Sequence, residues 1–357
     1  MAQFTAREVS EVPDAQALWD SLVERSPYSW FWHTWHWHVY VLAAGQSFEA
    51  KDHSFFIYEN EIPIGLCPLI IQRRERYGGL WVEAAYYGML PWPLTVTEEM
   101  EDFAFAELER RARAAGAGCI GINFFAPIAR ADEQERVERA TRVHHYIATQ
   151  TLLHAVEVQG AVARTRERYR RYDRKFSPLF NFDILEGHTV DADAEEMYYR
   201  LHVLDSGKQV RSRESYARQA DLARAGEAFF VRARDRETGN LAGMLLVSVY
   251  KHAAFDNSVA IDPAFAPKRV GHMLRLRALE ELERRDVREF LMPLYPSPSS
   301  FTRIMSDKER SISDFKEGFS GGMSRAVWSM EKFLDATYLR RYLAERERSL
   351  KEFFGLP

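Results

Sequence analysis

The sequence predicts a mixed α/β protein, of α/β (α+β) class, built from two related domains in tandem. Three observations carry this. The pair Phe55-Phe56 recurs as Phe229-Phe230, and Glu107-Leu108-Glu109-Arg110-Arg111 recurs as Glu281-Leu282-Glu283-Arg284-Arg285, each 174 residues further along. A repeat of that length is a duplicated domain, because solenoid units recur every ~20–50 residues. Each half also runs hairpin, strand, helix, strand. Finally, 357 residues at 46% hydrophobic suffice for two cores, since single cores stop growing at about 250–300 residues.

In the first half, the apolar runs Ser54 to Tyr58 and Ile62 to Gln72 flank the turn Glu59-Asn60-Glu61 and read as a β-hairpin. From Glu98 to Ala115, Met100, Phe103, Ala104, Leu108 and Ala112 recur at helical spacing, and Gly116 and Gly118 stop the helix before a strand over Cys119 to Phe125. In the second half, Ala228 to Ala233 and Leu241 to Tyr250 flank the polar turn 234–240. A strand over Ala253 to Ile261, a helix over Val270 to Arg285 and a strand over Glu289 to Leu294 follow. The pattern divides the chain into an N-terminal domain over 1–158, a basic connecting helix over 159–182 and a C-terminal domain over 183–357.

A net charge of −4 with a pI near 6.3 gives no global attraction to nucleic acid, so a polyanion would have to meet a local basic patch. No specific DNA partner is expected, because no helix-turn-helix pattern stands out. Cys67 and Cys119 sit in apolar strand-like runs, where a free thiol behaves as a small hydrophobe and suits a reducing compartment. The first residues show no basic start followed by an apolar block, and no run approaches the ~20 apolar residues of a membrane span. The reading is a soluble, cytoplasmic protein, with peripheral contact with a membrane surface left open.

Arg164 to Lys175 is the local basic segment. Arg164, Arg168, Arg171 and Lys175 form one helical stripe, Arg166, Arg170 and Arg174 a second, and Tyr169, Tyr172 and Phe176 a third that can pack inward. A solvated connecting helix and a phosphate-gripping helix both fit this pattern.

The run Ile312 to Gly322, with Phe315-Lys316 and Phe319 before a glycine pair, resembles the Phe-Lys-x-x-Phe-Gly signature of the Fem-type (FemABX-like) acyltransferases. Those proteins consist of two tandem GNAT-like domains with mixed central sheets flanked by helices. The aromatic run Ser26 to Trp37 is similar to their N-terminal entry, Arg164 to Arg171 to their basic inter-domain helix, and Tyr86-Tyr87-Gly88 to the aromatic-glycine loop of their first domain. The resemblance spans almost the whole chain. It implies transfer of an acyl or aminoacyl group to an amine of a cell-envelope or polysaccharide precursor, with acyl-CoA as donor ahead of aminoacyl-tRNA, and tRNA stays open as a partner. Two departures stand out. No long coiled coil is inserted, and the pyrophosphate loop of ordinary GNAT enzymes is altered at Lys268-Arg269-Val270-Gly271-His272-Met273, where methionine replaces a small residue.

Acyl transfer to an amine needs a held neutral amine, stabilisation of the oxyanion and a path for the departing proton. Lys316 is the first candidate, as an ammonium beside glycines 318, 321 and 322 that permit close approach of a ligand. Asp256, on the strand before the second-half helix, could orient the amine or accept its proton, or simply pair with an arginine. Lys268, Arg269 and Gly271 are candidate donor-phosphate contacts at a helix start, with Phe315 as a stacking wall. Trp30, Trp32, Tyr86, Tyr87, Arg211, Arg213 and Tyr250 are candidate substrate contacts, with Arg211 and Arg213 undecided between them. No metal site is expected: His33, His36 and His38 lack an adjacent acidic or thiolate ligand, and residues 36 and 38 point to different faces. The rival to an enzyme is a GNAT-like binding protein that has lost its donor site and recognises a saccharide, nucleotide or protein.

Overall fold

The computed structural model describes residues 3–45, 49–76, 79–85, 90–125, 132–293 and 305–356. In chain order the first half holds β1 (Phe4–Glu8), α1 (Ala15–Arg25), α2 (Trp35–Ala43), β2 (Glu49–Asp52), β3 (Phe55–Glu59), β4 (Ile62–Cys67), β5 (Ile70–Arg76), β6 (Gly79–Ala84), β7 (Leu90–Pro91), α3 (Glu98–Ala114), β8 (Cys119–Phe124), α4 (Glu133–His144) and β9 (Ile147–Glu157). The second half holds α5 (Ala161–Arg164), α6 (Glu167–Phe176), β10 (Phe180–Leu185), α7 (Ala192–Ser206), α8 (Arg213–Arg224), β11 (Ala228–Asp235), β12 (Leu241–Tyr250), β13 (Ala253–Ile261), α9 (Val270–Arg284), β14 (Glu289–Met292), α10 (Asp307–Ser320), β15 (Ser324–Phe333) and α11 (Ala336–Phe354). The architecture is mixed α/β, as the alternation of periods predicts.

The chain forms two compact units, but not by one cut. Among the described residues, 3–151 and 327–356 form the first and 152–293 with 305–326 the second. Beside the linear division at 158 and 182, the units place 159–182 inside the second and 327–356 with the first. Strand pairing explains this. In the first unit the last strand partner of β8 is β15, through Trp328↔Phe124 to Phe333↔Cys119. In the second, β14 pairs with the end of β9, through Glu289↔Glu157 to Met292↔His154. Each sheet is completed by a strand from the opposite half of the sequence, which satisfies backbone groups an open edge would leave unpaired.

The repeat seen in the sequence is a repeated clamp. In the first unit Arg111, at the end of α3, pairs with Glu107 at 2.6 Å and Glu8 at 2.9 Å, and its guanidinium lies 4.8 Å over the Phe55 ring. In the second, Arg285 at the end of α9 pairs with Glu281 at 2.6 Å and Glu186 at 2.7 Å and lies 4.6 Å over Phe229. The recurring Phe and Glu-x-x-x-Arg are thus two sides of one helix-to-strand lock. The predicted hairpin forms between β3 and β4, with Asn60 and Glu61 at positive φ. The run expected to continue to Gln72 breaks after Cys67, where Pro68 cannot donate a ladder hydrogen bond.

The second unit carries the sheet β10-β11-β12-β13-β14-β9. α9 covers one face, burying Val270, Met273, Leu274, Leu279 and Leu282 against Phe229, Val231 and Leu245. Two irregularities open this sheet at Asp256. The β12–β13 register shifts between Leu246 and Val247, leaving Asp256 opposite Val247. The parallel β13–β14 pairing covers only Ala253–Phe255 against Glu289–Leu291, so β13 runs on past β14's last rung.

Candidate active site

Lys316 fills the region where β13 and β14 part. Its helix α10 starts at a capping box, in which Ser306 Oγ accepts from the Glu309 N–H at 3.2 Å and the Glu309 carboxylate accepts from the Ser306 N–H at 2.9 Å. The helix turns Ser313, Lys316, Phe319 and Ser320 inward. Lys316 is only 5% exposed, against the strong preference of lysine for water. Its Nζ donates to the Pro293 carbonyl at 3.2 Å and stands 3.7 Å from the Asp256 carboxylate. On either side of it along the helix, Ser313 and Ser320 bond to the two ring nitrogens of buried His154 on β9, at 3.0 and 3.2 Å. The lysine is held at mid-helix, not on the surface beside a glycine turn.

Asp256 is shared. Arg275, one turn into α9 from Gly271, donates to it through Nε at 2.9 Å and Nη2 at 3.2 Å, and through Nη1 to the Gly271 carbonyl at 3.1 Å. Burial alone would raise the Asp256 pKa, but Arg275 and Lys316 hold it below the usual carboxylate range. Lys316 moves the other way. Burial, with Arg275 close by, pushes its ammonium down to about 8 although Asp256 favours the charged form. The arginine takes the bidentate geometry, and the lysine is left with the weaker share. One carboxylate thus faces two cations in a buried trio, a surplus of one positive charge within it.

Aromatic rings close the site on the α6 side. Phe315 lies under the Arg275 guanidinium at 5.0 Å and meets His272 edge-on at 4.7 Å. Tyr169 donates to the Phe315 carbonyl at 2.9 Å and packs on His272 at 4.5 Å. A Cβ added at Gly318 would stand 2.2 Å from the Tyr169 ring. That corrects one expectation: Gly318 is small to admit Tyr169, not a ligand, whereas Gly321 and Gly322, at φ +61 and +88, form the end of α10. The inward aromatic stripe of the basic segment is present, with Tyr169 buried and Tyr172 and Phe176 packed on the core. The segment breaks at Thr165-Arg166, where the Arg166 N–H turns to the Gly318 carbonyl at 2.9 Å. Acid partners take up much of its charge: Arg166 pairs with Glu317, and Arg170 and Arg174 with Glu167.

Of the predicted residues, Lys316, Asp256, Phe315 and Gly271 converge through Arg275. Arg275 and His154 complete the site beyond the residues the sequence predicts; His154 is a lone polar residue in the apolar run 152–156, whereas Arg275 has Arg277 two residues on and does not stand out. Gly271 is tightly packed, since a Cβ there would come 2.8 Å from Ile261. Lys268 is 3.4 Å from Asp235, and Arg269, in the left-handed region at φ 59, lies 5.6 Å over Tyr172. His272 fills the start of α9, and burial together with the Arg275, Arg269 and Arg168 charges lowers it to about 4.

Arg211 and Arg213 now differ. Arg211 is buried, 4.4 Å over the Tyr216 ring, while Arg213 is exposed and ion-paired with Glu196. Arg211 belongs to a polar cluster in which Tyr198 donates to Gln219 at 3.2 Å and Ser258 bonds His202 at 3.2 Å. Tyr250 is half-buried at the β12–β13 turn, with Lys251 5.1 Å over its ring. Trp30 has no exposed surface and packs edge-on against Phe31 and Phe125; Trp32 is half-buried beside them. His33 and His38 spend ring nitrogens on the Trp92 carbonyl at 2.9 Å and Asp52 at 3.0 Å. Tyr86 and Tyr87 lie outside the described residues.

The backbone arrangement resembles that of solved structures. The chain is similar to FemX, with a TM-score of 0.64 at 9% identity over 96% of this chain and 100% of that one. The fold is that of a Fem-type tandem GNAT protein. It is also similar to L-PGS from Bacillus licheniformis, with a TM-score of 0.59 at 13% identity over 95% of this chain and 98% of that one. No family model matches the chain, and no curated protein matches it in sequence. At these identities the likeness of the tandem GNAT scaffold is one of fold, and the chemistry rests on the residues themselves.

Proposed function

We propose that the protein is an N-acyltransferase that moves an acyl or aminoacyl group onto the amine of a cell-envelope or polysaccharide precursor, with Lys316 stabilising the negative charge that develops. The observation that carries this reading is the charge balance of the buried trio, one carboxylate against two cations. A purely structural ion pair needs no third charge, and an uncompensated buried cation is costly unless an anion arrives to meet it. In the reaction, the amine nitrogen attacks the donor carbonyl carbon and the carbonyl oxygen takes the electron pair. The Lys316 ammonium faces that oxyanion. Collapse expels the donor's thiolate or ribose oxygen, and the extra amine proton passes to solvent.

The donor is either acyl-CoA or aminoacyl-tRNA. His272 occupies the start of α9, and Lys268 is turned to Asp235, so phosphate binding there would fall on Arg269 and the free N–H groups of the first turn. The same crowding favours the second reading, a binding protein without a donor site. Calorimetric titration with acetyl-CoA and longer acyl-CoAs, beside a transfer assay from charged tRNA, separates these readings. Lys316→Met is expected to lose about 100- to 1000-fold in transfer rate. Full turnover by the variant overturns its role, and failure of every donor leaves the binding protein.

A further inference from the structure

The helix that closes the first unit carries apolar surface which that unit leaves uncovered. One face of α11 is docked: Tyr338 packs on Trp81 at 4.8 Å and Tyr342 on Phe333 at 5.0 Å. The next stripe around the helix is Leu339, Leu343, Leu350 and Phe354, spaced by four, seven and four residues. Leu343 is 55% exposed, Phe354 56%, and the adjoining Phe353 and Leu356 46% and 58%. Elsewhere among the described residues exposed large apolar side chains fall singly or in pairs; here four fall within fourteen residues, and Phe353 and Phe354 touch at 5.0 Å.

Beyond this stripe the helix turns basic. Arg340, Arg341, Arg348 and Lys351 are all exposed, and α11 as a whole carries five cationic side chains against three carboxylates in a chain of net charge −4. The acidic partners present, Glu345 for Arg348 and Glu347 for Lys351, form surface pairs that exchange readily for other anions. No helix among the described residues is long and apolar enough to cross a membrane. A helix docked on one face, with leucine and phenylalanine on the next and cations beyond, has the makeup of one that lies in a bilayer interface.

We propose that α11 seats the protein on the surface of an anionic lipid bilayer, with Leu343, Phe353, Phe354 and Leu356 entering the headgroup boundary and Arg340, Arg341, Arg348 and Lys351 meeting lipid phosphates. A second copy of the chain fits less well. The stripe spans about 22 Å along the helix and is one residue wide, well short of the ~800 Å² per partner of a stable dimer. A two-fold pairing through it would also bring the same basic flank of each copy close together.

The test is flotation of the full chain with phosphatidylglycerol-containing vesicles and with pure phosphatidylcholine vesicles. Binding to the anionic vesicles is expected to be at least about tenfold stronger and to weaken steeply as salt rises. Leu343→Glu with Phe354→Glu is expected to reduce it about tenfold, and Arg340→Gln with Arg341→Gln to remove most of the anionic preference. Because these side chains are exposed, circular dichroism melting of the variants should match the parent. Absence of binding overturns the proposal, as does equal binding to both vesicle types. So does a stable dimer in light scattering that Leu343→Glu dissociates.

Discussion

Replacing Lys316 by methionine should make the protein more stable while it removes transfer. A drop in the lysine pKa from its ordinary 10.5 to about 8 on folding corresponds to about 3 kcal/mol of destabilisation at neutral pH. The sign follows from proton binding. Below pH 8 the ammonium is charged in both states, and the folded state bears the full cost of burying it beside Arg275. Between pH 8 and 10.5 the folded state releases the proton while the unfolded chain keeps it, so stability from this group rises with pH. Methionine has similar length, leaves the Asp256–Arg275 pair intact and has no proton to lose. The variant should therefore melt higher at pH 7 by about 5 °C or more, allowing ~2–4 °C per kcal/mol for a unit of this size, and the gap should close toward pH 10. Differential scanning calorimetry across pH 6–10 reads this directly. A variant that melts several degrees lower at pH 7, or a gap that does not change with pH, refutes the charge balance assigned to the site.

Other changes probe the same scaffold. Asp256→Asn leaves Arg275 and Lys316 buried without their carboxylate, so unfolding by urea should show a loss of about 3–5 kcal/mol. Gly318→Ala drives a methyl into the Tyr169 ring and should cost about 1–3 kcal/mol; Tyr169→Ala in the same chain should relieve most of that cost, and additive losses would disprove the contact. Arg111→Ala and Arg285→Ala should each lose about 2 kcal/mol, and the double variant should lose the sum, because the two clamps share no partner.

What the sequence made legible follows from where information is local. Hairpin, helix and strand at 55–67, 98–114, 241–261 and 270–284 were readable because their periodicities and turn residues lie within each segment. The duplication is readable because Arg111 contacts both Glu107 and Phe55, and Arg285 contacts Glu281 and Phe229 in the same way at the same spacing. The exchange of β9 and β15 was not, since strand partners so distant leave no mark on local pattern. Gly318 is ambiguous in the sequence, because a glycine needed for a ring and one needed for a ligand look alike in one dimension. Lys316 was found through a family resemblance, yet nothing in Asp314-Phe315-Lys316-Glu317 says that the lysine is buried. Arg275 carries no signal of its own, because a single arginine on an apolar helix face is ordinarily a tolerated exception. Its meaning appears only with Asp256, which the fold places against it.

The two copies separate scaffold from chemistry. Both keep the arginine clamp between helix end and strand, so the clamp belongs to the scaffold the two copies share. In the first unit the strand β8 beyond its pairing with β6 at Ile120 is taken up by β7, through Leu90↔Ile122 and Pro91↔Asn123. There the gap between the parallel strands is filled by the chain's own backbone. In the second unit the β13–β14 pairing ends at Phe255 and Leu291, and a buried lysine enters instead. A backbone strand brings satisfied hydrogen bonds and no charge. A lysine beside a carboxylate already held by arginine brings an unmet positive charge, at a cost of about 3 kcal/mol. Selection for stability alone would favour the first solution in both copies. The costlier arrangement in the second copy is what supports the proposal that the chemistry lies there.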